Sequence, residues 1–211
     1  MSIQTTRMFN KPGLNCSVRG NAMLTTPELV VDDELVLRPV AKGALEAMIE
    51  AYHEDAASAQ TALPWLDPND DVRRQLRDMI YDINAQQGTD RLHFWSIHTV
   101  DAGEFAGLIG LGDELQSPHS DFNLGYWVRR AYRQQRIASR CVDTIFSWLA
   151  QRSEATLVEI AVHPHNTAGL ATAGAICKRW GGERLEEFIG IEFNERTVPH
   201  HLHLVDVQPE A

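Results

Sequence analysis

The residues from Trp127 to Val142, WVRRAYRQQRIASRCV, set Arg129, Arg130, Arg133, Arg136 and Arg140, with Gln134 and Gln135, between an apolar strand-like run and the first turn of an amphipathic helix. A helix N-terminus carries backbone N–H groups without an intrahelical acceptor and a partial positive charge. Beside cationic side chains, such a junction can hold a phosphate group. Glycine often opens this kind of turn, because the backbone must approach the phosphate oxygens closely. The stretch RRAYRQQRIAS has no glycine, so the small Ala138 and Ser139 would allow the approach while Arg133 and Arg136 supply charge. From these residues alone, a solvated basic first turn is the favoured reading.

The elements that must position this junction follow from hydrophobic periodicity. ELVLRPV (34–40) alternates as a first strand, and Leu45, Met48, Ile49 and Tyr52 recur at helical spacing. Pro64 and Pro68 mark a turn. Val72, Leu76, Met79, Ile80 and Ile83 then form one face of a second helix, closed near Gly88. RLHFWSIHTV, GEFAGLIGLGDEL and DFNLGYWVRR read as strands. Ile137, Cys141, Ile145, Trp148 and Leu149 share a helical face. ATLVEIAVHPHN is another strand, and AGLATAGAICKRWGGERL a helix ending at Gly181 and Gly182. EEFIGIEF and VPHHLHLVDV close the chain as a strand pair. The order β-α-α-β-β-β-α-β-α-β-β predicts one mixed α/β domain over 23–211, preceded by a flexible tail over 1–22.

The composition narrows the partners. A formal charge of −10 disfavours nucleic acid and anionic membrane and suits a cationic acceptor such as an amine. Cys16, Cys141 and Cys177 lie far apart, which predicts neither a disulfide framework nor a structural zinc site. A reducing, cytoplasmic setting is expected. No apolar run approaches the roughly 20 residues of a membrane span, and the N-terminal segment lacks the apolar core of a signal peptide.

Four segments in this order resemble the GNAT superfamily of acyl-CoA-dependent N-acetyltransferases, and within it the branch that acetylates ribosomal-protein N-termini. Val128 is followed by four residues and then by Arg133-Gln134-Gln135-Arg136-Ile137-Ala138, similar to that family's Arg/Gln-x-x-Gly-x-Gly/Ala. LGYWV (124–128), LPWLDP (63–68) and VHPHNTAG (162–169) resemble its other segments. The resemblance runs from about residue 30 to 205. It implies a GNAT-like, mostly antiparallel twisted sheet flanked by helices, with a splay between two central strands. Acetyl-CoA would lie in that splay as cosubstrate. Its pantetheine arm would meet backbone at Tyr126, Trp127 and Val128, and its pyrophosphate the turn from Arg133 through Gln134, Gln135, Arg136, Ile137 and Ala138 to Ser139. Asn166 would contact it further on. Arg136 stands where the family has its central glycine and is expected to keep an ordinary negative φ, its side chain outward and its N–H inward.

Transfer needs a neutral amine, a donor for the developing oxyanion and a proton for the leaving thiolate. An α-amine, with a pKa of about 8, is easier to deprotonate than a lysine at about 10.4, which favours a small amine or a protein N-terminus. The resembled branch commonly has glutamate where this chain has Asn123, and serine where it has Gly169. Asp121 and Glu114 are the substitute candidates for a base, and Ser139 and Thr167 for a proton donor. His163 sits where substrate would approach, and Trp65 and Trp95 can shape an acceptor pocket. His163 and His165, with His200, His201 and His203, fall on late strands, but without carboxylate or cysteine partners at a recognisable spacing, so no metal is expected. A homodimer is one assembly that the resemblance implies. Two rivals stay open: an acyl-CoA-binding protein of the same fold without transferase activity, and a partner-binding fold without cofactor.

Overall fold

The computed structural model describes residues 25–210 except 64, 87, 194 and 195. The tail expected over 1–22, with its boundary at Met23 and with Cys16, lies outside the described residues.

Two short strands open the fold, β1 (Leu29–Val30) and β2 (Leu35–Pro39), and three helices follow: α1 (Leu45–Glu54), α2 (Ala56–Ala62) and α3 (Val72–Ala85). Then come β3 (His93–Thr99), β4 (Phe105–Gly112), β5 (Phe122–Val128), α4 (Ile137–Leu149), β6 (Thr156–Val162), α5 (Thr167–Trp180), β7 (Glu183–Phe193) and β8 (Arg196–Val207). The strands form one eight-stranded sheet in the order β1-β2-β3-β4-β5-β6-β8-β7. Every neighbouring pair is antiparallel except β5 and β6.

The alternation along the strands sorts side chains to two faces. On one face, Leu37, Ile97, Ile109, Leu111, Leu124, Val158 and Ile160 meet Cys141, Ile145, Phe146 and Leu149 of α4 and Ala173 and Ile176 of α5. On the other, Phe105, Leu108 and Trp127 meet Met48, Tyr52, Leu76, Ile80 and Ile83 of α1 and α3. The helical stripes read from the sequence are therefore core.

Three differences from the sequence reading have local causes. β1 is an additional strand of two residues. The first helical segment breaks at Asp55 (φ −159°, ψ 73°), whose carboxylate accepts the Ser58 N–H at 3.2 Å and so starts a separate α2 over AASAQTA. Trp95 is fully buried with its indole N–H donating to the Pro27 carbonyl at 2.7 Å, so it belongs to the α4 and α5 core and not to an acceptor pocket.

Candidate active site

The parallel pair β5 and β6 is bonded only at Phe122↔Val158 and Asn123↔Glu159. Beyond Asn123, β5 is bonded only to β4, up to Gly107↔Val128, while β6 stays paired with β8 up to Val162↔His201. The two strands diverge toward their C-terminal ends, so the far half of β5 presents backbone groups on its open side. This is the splay that the resemblance implied.

Below the fork, Asp121 is tied to the closed end. Its backbone N–H donates to the Leu157 carbonyl at 2.8 Å and its Oδ2 accepts the Leu157 N–H at 2.9 Å. Glu114 is exposed on the loop before β5. Neither base candidate is brought to the open half of the splay. At the fork stands a carboxylate that the sequence reading missed, Glu159, with 0% exposure. It accepts the N–H groups of Gln116 at 2.6 Å and Ser117 at 2.9 Å and the Asn123 Nδ2 at 3.1 Å. A carboxylate only accepts, so it fixes the amide of Asn123 with Nδ2 inward and Oδ1 turned away as an acceptor. In the sequence, Glu159 is one charged residue in an apolar strand. That mismatch was the available signal.

Above the fork, Tyr126 crosses from β5 to α5. Its hydroxyl donates to the Gly169 carbonyl at 3.4 Å and also meets the Thr172 side chain. Burial pushes its phenol up to about 12, against a smaller opposing pull from Thr172, so it is protonated at neutral pH. A side chain at residue 169 would displace that of Asn166: a Cβ would lie 2.6 Å from Asn166 Nδ2 and 3.0 Å from Val162 Cγ1. Asn166 itself caps α5, its Oδ1 accepting the Gly169 N–H at 2.9 Å. Thr167 is exposed in the first turn of α5.

The turn from β5 to α4 departs from one expectation. Arg136 takes φ 56° and Gln134 φ 64°, both left-handed. This corrects the expected negative φ at Arg136, which occupies the conformation that a glycine favours, as N-cap of α4 with no side-chain hydrogen bond capping the helix. Gln134, Gln135 and Arg136 are exposed, Ile137 and Ala138 buried, and Ser139 half-buried. The first helical bond runs from the Arg140 N–H to the Arg136 carbonyl at 3.0 Å. The N–H groups of 137–139 are those that a first turn leaves without an intrahelical acceptor.

A left-handed non-glycine residue costs about 1–2 kcal/mol, partly offset by the greater chain entropy that glycine loses. Arg136→Gly should therefore stabilise the free protein by about 0.5–1 kcal/mol, read as a thermal midpoint raised by roughly 1–4 °C.

The side chain of Arg133 does not reach outward from this turn. Its Nε donates to the Val128 carbonyl at 3.0 Å and its Nη1 to Asp55 Oδ2 at 2.6 Å. Arg129 pairs likewise with Glu54. These guanidinium hydrogen bonds hold both carboxylates below the ordinary carboxylate range.

The histidines separate. His163 and His200 meet edge to face at 5.6 Å on the face opposite α4 and α5, beside the open end, and His163 meets His165 at 5.1 Å. His201 and His203 fall opposite Val162 and Ile160, so they point to the other face. Among the described residues no group of His, Cys, Asp or Glu could hold a metal ion. Trp65 is half-buried, packed on the α1 to α3 core.

A mixed sheet with one broken parallel pair, and an anion-receptive helix start at the end of its open strand, defines the GNAT acyltransferase architecture. A family model for the acetyltransferase (GNAT) domain matches residues 34–176, and the chain belongs to that family. Among solved structures, it is similar to RimL, a ribosomal L7/L12 alpha-N-protein acetyltransferase in complex with coenzyme A (16% identity, TM-score 0.71, covering 87% of this chain and 100% of that one). It is also similar to the microcin C7 self-immunity acetyltransferase MccE in complex with acetyl-CoA and AMP (14% identity, TM-score 0.70, 87% and 98% covered). A third is an acetyltransferase from Salmonella typhimurium that modifies the N-terminal serine of the 50S subunit protein L7/L12 (15% identity, TM-score 0.67, 87% and 100% covered). No curated protein sequence matches the chain significantly.

Proposed function

We propose that the protein transfers the acetyl group of acetyl-CoA to a primary amine, the α-amine of a protein or peptide being the favoured acceptor. The observation that carries this reading is the opening of β5 from β6 beyond Asn123, directed at the uncapped start of α4. The arm of acetyl-CoA would lie along the open edge of β5 from Tyr126 to Val128. Its pyrophosphate would meet the N–H groups from Gln134 to Ser139, and Asn166 would border it from α5.

On the opposite face, Asn123 Oδ1 would accept a hydrogen bond from the incoming amine and aim its lone pair at the thioester carbonyl. An α-amine is neutral in a useful fraction near pH 7.5, so no strong base is required. As the amine nitrogen bonds to the carbonyl carbon, the C–S bond breaks and the sulfur leaves with the electron pair. The Tyr126 hydroxyl, held protonated, would donate its proton to that sulfur. The proton lost by the amine reaches solvent and is regained at Tyr126. The positions at which the resembled branch has glutamate and serine would be served here by Asn123 itself, held by Glu159, and by Tyr126 beside Gly169.

Thermal unfolding with acetyl-CoA tests the reading. Ligand at about a hundred times its dissociation constant adds about 2.7 kcal/mol, or roughly 5–10 °C for a domain of this size. A comparable shift with ATP, or none with acetyl-CoA, would sink the cofactor site. Release of CoA thiol in the presence of short peptides with free α-amines, and not with their N-blocked forms, is expected to follow.

A further inference from the structure

At the end of α1, two consecutive carboxylates face two arginines of the turn after β5. Glu54 takes the Nε of Arg129 at 2.9 Å, and Asp55 takes the Nη1 of Arg133 at 2.6 Å. The break between α1 and α2 makes the second pair possible, because it gives Asp55 two tasks. Oδ1 accepts the Ser58 N–H and caps α2, while Oδ2 faces Arg133. The guanidinium of Arg133 also grips the last carbonyl of β5, and its Nη2 is buried without a partner. Two of its guanidinium nitrogens are thus bonded within the protein and the third is buried, whereas Gln134, Gln135 and Arg136 are the exposed part of the turn. Arg129 adds a parallel tie, its backbone N–H bonded to the Ala106 carbonyl at 2.8 Å. Trp127, at the end of β5, is buried in the same apolar cluster as Tyr52 of α1 and Ala59 of α2.

We infer that Asp55 is a positioning residue for the cofactor turn: through Arg133 it braces residues 129–136 from behind against the α1–α2 corner, and Arg133 is a strut and not a phosphate ligand. The inference rests on the cofactor reading given above for what the turn binds, but not for the brace itself. Its consequence is that the motif's first arginine governs acetyl-CoA binding through a carboxylate that never touches the ligand. The same brace fixes the start of α2, so the corner on the opposite face and the cofactor turn move as one unit.

Asp55→Asn separates the brace from the helix cap, because asparagine caps a helix about as well as aspartate while the charge is lost. In the free protein this variant should keep its thermal midpoint within a few degrees. Amide hydrogen exchange over 129–136 should nevertheless rise several-fold. Exchange unchanged from wild type overturns the brace whatever the turn binds. Calorimetry with acetyl-CoA then addresses the role of Arg133. Asp55→Asn and Arg133→Ala should each weaken binding by roughly tenfold, and the double variant should be no weaker than the worse single one, as for two residues in one interaction. If Arg133→Ala weakens binding while Asp55→Asn leaves it unchanged or tighter, Arg133 touches the phosphates directly and the strut is wrong. Additive losses would likewise exclude a shared brace. Absence of binding by wild type would count against the cofactor reading, with hydrogen exchange still deciding the brace.

Discussion

Replacing Tyr126 by phenylalanine is expected to lower kcat for acetyl transfer about a hundredfold, the lower end of what a positioned proton donor contributes. The ring stays, so its packing against the α4 and α5 core is kept. The hydroxyl goes, and with it a long hydrogen bond to the Gly169 carbonyl at 3.4 Å and the contact with the Thr172 side chain. A neutral hydrogen bond contributes about 0.5–1.5 kcal/mol to stability, so the fold should tolerate the change. Acetyl-CoA affinity should remain close to wild type, because the hydroxyl would act on the sulfur only as the C–S bond breaks. A loss confined to kcat therefore marks an interaction made in the transition state. Thr172→Val provides the control, since Thr172 is the other hydroxyl at this point. If it falls as far as Tyr126→Phe, or if Tyr126→Phe keeps more than half of wild-type kcat, the proton reaches the sulfur by another route.

The second large effect belongs to Glu159. Truncation to alanine removes a fully buried carboxylate that accepts three N–H groups, those of Gln116, Ser117 and Asn123. Each buried donor left unpaired costs about 1–3 kcal/mol. Relief from burying a charge offsets part of that sum. A net loss of about 3–5 kcal/mol is expected, against a total stability of about 5–15 kcal/mol for a domain. Urea denaturation reads this directly, and hydrogen exchange at Gln116 and Ser117 should accelerate before the rest of the chain opens. Glu159→Gln should lie between, since its amide can accept from some of the donors but brings an N–H against another. A loss below about 1 kcal/mol from Glu159→Ala would show that water replaces the carboxylate, and that Glu159 does not fix Asn123. With Asn123 released, acetyl transfer by the folded fraction of Glu159→Ala should fall as well.

Most elements were readable from local pattern. The stripes of α3 and α4 and the alternation of β2 are set by which residues must face a core, and that periodicity survives in a single chain. The basic turn after Val128 was readable for the same reason, since a strand ending and a helix beginning are local events. The break at Asp55 escaped, because a helical run and an N-cap compete for the same residues until packing decides between them. The left-handed φ of Arg136 escaped too, since arginine gives no sign of it.

What the sequence determined by itself was the mixed α/β order, the strand-to-helix junction and the family to which they point. What only the tertiary structure decided was which groups meet there. Asn123 finds Glu159 across 36 residues, Tyr126 finds Gly169 across 43, and Asp55 finds Arg133 across 78. Hydrophobic periodicity says which way a side chain faces. Its partner depends on strand register and on where α1 breaks, and those are fixed by the packing of the whole sheet between its two layers of helices.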